Sequence, residues 1–301
     1  MKNNNTVMAT LAALGAQVIF GFSFMFTKIA LEFASPMIVI ANRYMVAFLG
    51  LSFVKMLTKT KITFRKNYWK LILMSLFQPV LYFIFESYGI QMTTSAFSSI
   101  MISLIPVVSM IGGIFMLREF PSPMQYVFSA LSVAGVVIMA LCGNADGTVT
   151  LPGTLLLLGA VFSSVAYNIS SRKLSAEFSV FERTYAMTLI GLISFFMIAL
   201  AENIHHPQNL ILGFDFGQYT WDVLYLGVLS SVVAFLLLNY ANTYLPVTKT
   251  TIFSNVTTVV SVIAGIIFLD EKFSFKSALA AVMIIAGVWG VQVLSVRKRE
   301  D

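Results

Sequence analysis

Long apolar stretches broken by short polar segments run the length of this chain. They fall at residues 7–31, 35–57, 69–91, 93–117, 123–142, 152–172, 180–201, 221–243, 245–269 and 276–295. A helix rises about 1.5 Å per residue, so roughly 20 apolar residues span the hydrocarbon of a bilayer. The pattern therefore predicts an all-α integral membrane protein of ten transmembrane helices. Ser35-Pro36 and Ser122-Pro123 read as N-caps followed by proline at the first helical position, and Thr220 and Ser274 read as further caps. The first run follows Met1-Lys2-Asn3-Asn4-Asn5 and continues to Leu31, which is too long for a signal-peptide core. It is expected to be the first membrane helix.

Sliding the chain against itself by 152 residues exposes a repeat. Trp69 meets Trp221, Phe83 meets Phe235, Tyr88 meets Tyr240, and Val107-Val108-Ser109 meets Val259-Val260-Ser261. Glu119 meets Glu271, Ser122 meets Ser274, and Ala134-Gly135-Val136 meets Ala286-Gly287-Val288. Residues 1–145 and 146–301 thus read as two five-helix copies. Five crossings is an odd number, so the second copy is expected to lie inverted. Lys70 opposite Asp222 and Arg118 opposite Asp270 fit that inversion. Inverted repeats belong to transporters whose site lies between the copies near the midplane.

Composition sharpens the class. Of the 301 residues 58% are hydrophobic and 11% charged, and mean hydropathy is +0.87. Soluble domains carry about 25% charged residues, so too few polar side chains exist here to cover a water-facing surface. The net charge of +6 does not point to nucleic acid, because the basic residues cluster in alternate connections. Lys2, Lys55, Lys59, Lys61, Arg65, Lys66, Lys70, Arg118, Arg172, Lys173, Arg183, Lys249, Arg297, Lys298 and Arg299 fall on one side, while the other holds Lys272 and Lys276 with Glu32, Asp146, Glu202, Asp215, Asp222, Asp270 and Glu271. By the positive-inside rule both termini are cytoplasmic in a cell membrane of plasma or inner type. Cys142 is the single cysteine, so neither an intrachain disulfide nor a cysteine metal cluster can form. His205-His206 lack further ligands, and no phosphate-binding loop or HExxH occurs, so no metal or other cofactor and no ATP-driven pump are expected.

At this point the chain resembles the EamA-type permeases of the drug/metabolite transporter superfamily. The resemblance is carried by Phe20-Gly21-Phe22-Ser23-Phe24 with Lys28, by Pro36 with Arg43, and by Phe115-Met116-Leu117-Arg118-Glu119 and Ile267-Phe268-Leu269-Asp270-Glu271. Phe20 stands where the family commonly has tryptophan. The resemblance implies the ten-helix fold, export of amino acids or related metabolites, and no bound cofactor.

Polar residues about ten positions into each helix mark a candidate cavity: Gln17, Gln78, Ser103, Ser163, Ser164, Ser230, Ser231 and Asn255. They lie on the first, third, fourth, sixth, eighth and ninth helices, which are expected to wall the cavity. Polar groups in hydrocarbon must face protein or water. A serine can also bond its own helix backbone, and a Gln or Asn can bridge two helices. Phe22, Phe24, Tyr82 and Tyr167 are candidate pocket aromatics, with packing or lipid contact as the alternative. Three ionisable residues lie inside the apolar runs. Glu86 is a gating or proton-coupling candidate, or half of a structural pair with Arg43 or Lys28. Arg43 is expected to pair and Lys28 to snorkel. Pro79 and Pro106 are expected to kink their helices. Gly112-Gly113, Gly265, Ala130, Ala134, Ala280 and Gly287 suit close helix packing, within the chain or in a homodimer.

The expected function is secondary transport of a small polar or amphipathic metabolite, with a small-molecule substrate and the lipid bilayer as partners. A sugar-phosphate or nucleotide-sugar exchanger is the alternative within the class, and a non-transporting scaffold or sensor is the alternative outside it. An intramembrane enzyme would need converging catalytic groups, and no His or Asp lies at midplane depth.

Overall fold

The computed structural model describes residues 2–60, 67–110, 122–145, 149–205, 217–245, 250, 253–271 and 274–297. Gly112-Gly113, Phe115–Glu119, His206 and Lys249 lie outside the described residues. Among those described the chain is helical, with no strand. Its helices are α1 (Lys2–Ala30), α2 (Pro36–Thr58), α3 (Trp69–Gln91), α4 (Ser95–Met110), α5 (Pro123–Ala145), α6 (Leu151–Leu174), α7 (Val180–Glu202), α8 (Gln218–Tyr244), α9 (Ser254–Phe268) and α10 (Phe275–Arg297). Six of these, α1, α2, α3, α6, α7 and α8, are long and apolar enough to cross a membrane, and the other four contain shorter apolar stretches. Leu11, Leu49, Phe53, Leu141, Phe162 and Trp289 are exposed on their outer faces, an exterior suited to acyl chains rather than water.

The helix starts differ in part from expectation. Ser35 sits at the N-cap of α2 in extended conformation before Pro36, but its hydroxyl makes no cap bond. Ser122 has a buried hydroxyl without a partner, and its N–H instead donates to Gln125 Oε1 at 2.7 Å. Thr220 is not a cap, because α8 begins two residues earlier behind Gly217. Ser274 does accept from the Ser277 N–H at 3.2 Å. The side chains that cap without having been singled out are Thr94 on α4, Thr150 on α6 and Ser179 on α7, the last in a reciprocal box with Glu182.

Two helices are broken where proline forbids a regular ladder. In α3, Gln78 leaves helical geometry (φ −146°, ψ 116°), its peptide to Pro79 is cis, and residues Leu76–Leu81 form a wide π turn. In α4 the helix relaxes at Ser103 and Leu104, just ahead of Pro106. α8 carries a π segment too, Tyr225–Ala234, with no proline in it.

α1 packs on α8 and α9, α6 on α3 and α4, α2 on α7 and α8, α7 on α3, and α4 on α9. α5 and α10 pack chiefly on each other. Their seam is made close by glycine. A Cβ on Gly287 would stand 2.5 Å from the Phe128 carbonyl oxygen and 2.7 Å from the Ser132 nitrogen. On Gly135 it would stand 2.8 Å from the Ala280 carbonyl oxygen. Gly287→Val is therefore expected to cost about 1–3 kcal/mol by overpacking. Thermal unfolding of the detergent-solubilised protein checks this; an unchanged midpoint would mean the seam is looser than described.

Candidate functional site

Between the helices lies a cavity enclosing about 610 Å³ of space not filled by atoms, open solvent included. α1 contributes Gln17, Phe20, Ser23 and Phe24, α2 contributes Arg43, and α3 contributes Gln78, Tyr82, Phe83 and Glu86. α4 adds Ile102 and Ile105, α6 adds Ser164 and Asn168, and α8 adds Phe235 and Leu238. Thr250, Ser254 and Thr257 line the remaining wall. Six of the walls are the helices marked by their polar midpoints, and Arg43 brings in α2 as a seventh.

The break in α3 aims the site. Leaving helical geometry at Gln78 turns its side chain into the cavity, where Oε1 is buried with no hydrogen-bond partner. Gln17 is buried on the facing wall and its Oε1 accepts from Thr257 Oγ1 at 2.7 Å, tying α1 to α9. Tyr82 donates to Glu86 Oε1 at 2.9 Å, one helical turn on. Ser164 accepts from Asn168 Nδ2 through its carbonyl at 3.0 Å.

Arg43 is 2% exposed and lines the cavity wall. Its Nε donates to Ser231 Oγ at 2.6 Å and its Nη2 to Ser230 Oγ at 2.8 Å. The guanidinium carbon lies 4.2 Å from the Phe83 ring centre, a cation–π contact. Arg43 and Glu86 line the same cavity yet form no ion pair; among the described residues the ion pair is Lys70 with Glu177, at 2.6 Å. Lys28 is on neither. Its ammonium donates to the carbonyls of Ile90 and Thr93 at 2.9 and 2.6 Å, at the C-terminal end of α3, rather than reaching outward. Of the other marked residues, Ser103 and Ser163 bond their own helix at Ile100 and Gly159. Ser230 serves Arg43, and Asn255 is half-buried with an unpartnered Oδ1. None of these four lines the cavity, nor does Tyr167, whose hydroxyl donates to Asn239 Oδ1 at 3.0 Å. Asn168, Ser254 and Thr257 line it without having been singled out; spacing one turn from Ser164 and flanking Asn255 were the available signals.

A second polar cluster lies off the cavity. Arg183, expected in a basic connection, is instead inside α7 and fully buried. Its Nη1 donates to the Ser171 carbonyl at 3.0 Å and hydroxyl at 2.7 Å, and its Nη2 to the Asn239 carbonyl at 3.0 Å and Thr243 Oγ1 at 2.5 Å. Arg172 donates to the carbonyls of Asn242 and Thr243. These bonds fasten α6, α7 and α8 together. Asp222, expected to face outward, is buried in α8 and accepts from Gln218 at 2.9 Å.

A bundle of apolar-faced helices around a polar, partly charged cavity defines a multi-span membrane protein of transport type. The EamA-like transporter family model matches residues 7–141 and again residues 151–293, and the chain belongs to that family. It is 32% identical over 299 residues to the uncharacterized transporter YcxC of Bacillus subtilis (strain 168), covering 97% of this chain and 95% of that protein. It is 28% identical over 228 residues to the uncharacterized transporter YetK of the same organism, covering 75% and 68%. An uncharacterized transporter of Archaeoglobus fulgidus is 25% identical over 287 residues, covering 90% and 93%. A solved crystal structure superposes with a TM-score of 0.69 at 17% identity, over 95% of this chain and 98% of that one, which shows the shared fold. The protein is thus a membrane transporter.

Removing one member of a buried charge network strands its partners. Arg183→Met is expected to destabilise the bundle by about 1–3 kcal/mol, since it leaves neutral carbonyl and hydroxyl acceptors unsatisfied. A loss of less than a few degrees in the melting midpoint of purified protein would show that the acceptors re-pair without it.

Proposed function

We propose that this protein is a secondary transporter exporting a small polar or amphipathic metabolite, an amino acid or related compound, by alternating access. The observation that carries this reading is the central cavity with Gln17, Gln78 and Asn168 on its walls and two opposite, unpaired charges, Arg43 and Glu86. A carboxylate fits beside a guanidinium and an ammonium beside a carboxylate. Arg43 is the single Lys or Arg among the described lining residues, which suits one carboxylate better than the several charges of a sugar phosphate or nucleotide sugar.

The mechanism rests on ten crossings arranged as two inverted five-helix units, residues 1–145 and 146–301, with both termini cytoplasmic in the cell membrane. Several observations support it. The family model matches each half separately. Helix pairing repeats two-fold: α1 on α9 mirrors α6 on α4, α1 on α8 mirrors α6 on α3, and α2 on α8 mirrors α7 on α3. The π segment of α3, shifted by 152, falls inside that of α8. Lys28 on the Ile90 carbonyl mirrors Arg172 on the Asn242 carbonyl, the acceptors again 152 residues apart. Each is a cation from the first helix of a half on the C-terminal end of the third, where the helix dipole favours it. Rocking one half against the other exposes the cavity to each face in turn.

Flux of labelled amino acids in proteoliposomes tests this. Gln78→Leu is expected to lower flux about tenfold or more, the equivalent of one lost polar contact, with normal yield of folded protein. Wild-type flux in that variant and in Gln17→Leu would remove the cavity from the pathway. Glu86 is the group in this cavity able to carry a proton between faces. Glu86→Gln should make flux indifferent to an imposed pH gradient; a gradient response equal to the parent's removes it from coupling.

A further inference from the structure

The corner joining α3 to α4 is gripped from two sides by opposite charges. Lys28 of α1 holds the C-terminal end of α3 through the carbonyls of Ile90 and Thr93. Glu271, just past the end of α9, holds the N-terminal end of α4: its Oε1 accepts from the Ser95 N–H at 2.7 Å and its Oε2 from the Ala96 N–H at 2.9 Å. Each charge faces the helix end whose dipole attracts it, and the carboxylate satisfies two N–H groups that α4 itself leaves without a partner. The two differ in origin. Lys28 comes from the same half as the corner, so it travels with it. Glu271 comes from the other half, so its bonds bridge the two.

The chain around Glu271 is shaped for that reach. Asp270 takes a left-handed conformation (φ 50°) that ends α9, and the Glu271 N–H bonds back to the Gly265 carbonyl at 3.1 Å. The carboxylate then lies over Gly265, where a Cβ would come within 2.6 Å of Oε2. Beneath it α9 meets α4 through small polar residues: Ser261 donates to the Ser95 carbonyl at 3.3 Å and Thr258 to the Ser99 carbonyl at 3.2 Å. Glu271 is partly exposed, so water can replace both of its bonds with little net loss. The buried Arg183 cluster offers no such exchange. A contact that crosses between halves at one end, and that water can take over, has the properties of a reversible closure.

We infer that Glu271 is a latch between the halves, closing the end of the cavity where the α3–α4 corner meets the C-terminal end of α9. This inference rests on the alternating-access reading. While the carboxylate holds Ser95 and Ala96, α4 and α9 stay together at that end. Opening there breaks both bonds and hands the N–H groups to water. In the proposed orientation this is the extracytoplasmic end.

Two variants in a Cys142→Ala background test it. The Cβ atom of Ala96 and a Cβ built on Gly265 are 3.7 Å apart, within disulfide range, so Ala96→Cys with Gly265→Cys staples the crossing; because the new Cβ also displaces the Glu271 carboxylate, this variant reads whether the crossing parts, and the Glu271→Gln variant reads the latch itself. Oxidation is expected to stop flux and a reductant to restore it. Flux that persists in the fully oxidised protein overturns the latch, because the crossing would then not part during transport. Separately, Glu271→Gln should raise about tenfold the rate at which a membrane-impermeant maleimide labels a Phe24→Cys reporter, the ratio equivalent to one charge-assisted hydrogen bond. A lowered melting midpoint with labelling at the parent's rate reduces Glu271 to a static cap and also overturns the proposal. If labelling rises but only from the cytoplasmic face, the latch stands and the orientation fails. If Gln78→Leu and the parent both carry no amino-acid flux, the substrate reading fails while the labelling result still decides the latch.

Discussion

Inside the hydrocarbon no water is at hand to complete a hydrogen bond, so every polar atom there must find its partner within the protein or open onto a wet space. That demand organises this bundle. Serines and threonines at depth return their hydroxyls to their own helices, as Ser103, Ser163, Thr184 and Thr188 do. Charges that are off the cavity are wrapped in acceptors, as Arg183 is by Ser171, Asn239 and Thr243. Among the buried polar atoms left without a partner, Gln78 Oε1 is the one on the cavity wall.

The same rule explains the irregular backbone. Breaking α3 at Gln78 frees groups that a lipid-facing helix could not afford to expose, and the break sits on the cavity wall. The π segments of α3 and α8 widen the turns on facing sides of that wall and carry Tyr82 and Phe235 at their ends. Charge placement follows the helix dipoles where a side chain can reach a helix end. Lys28 and Arg172 sit on carbonyl ends and Glu271 on an N–H end, so signs that look like orientation signals in one dimension are structural ties in three.

Much of the architecture was legible in one dimension because a membrane helix needs only length and apolarity; most runs match the described helices within a few residues, but the run at 245–269 starts nine residues before α9 begins at Ser254. The helix starts were less legible. Thr220 looked like a cap but lies inside α8, since Gly217 supplies the extended conformation without any side-chain bond. The cavity was legible by helix and only partly by residue. Depth along a helix follows from counting, but the face a side chain presents depends on its neighbours, so Gln17 and Gln78 line the space while Tyr167 and Asn255 do not. Arg183 was read as part of a basic connection because it stands at the start of α7; nothing local reveals that Asn239 and Thr243, more than fifty residues away, close over it.

The seam between α5 and α10 joins the last helix of each half through Gly135 and Gly287, with little support from the rest of the bundle. Because this contact is close, direct and away from the cavity lining, it would serve the proposed rocking motion as a keel. It also means that the two five-helix units proposed here meet through complementary surfaces at this seam.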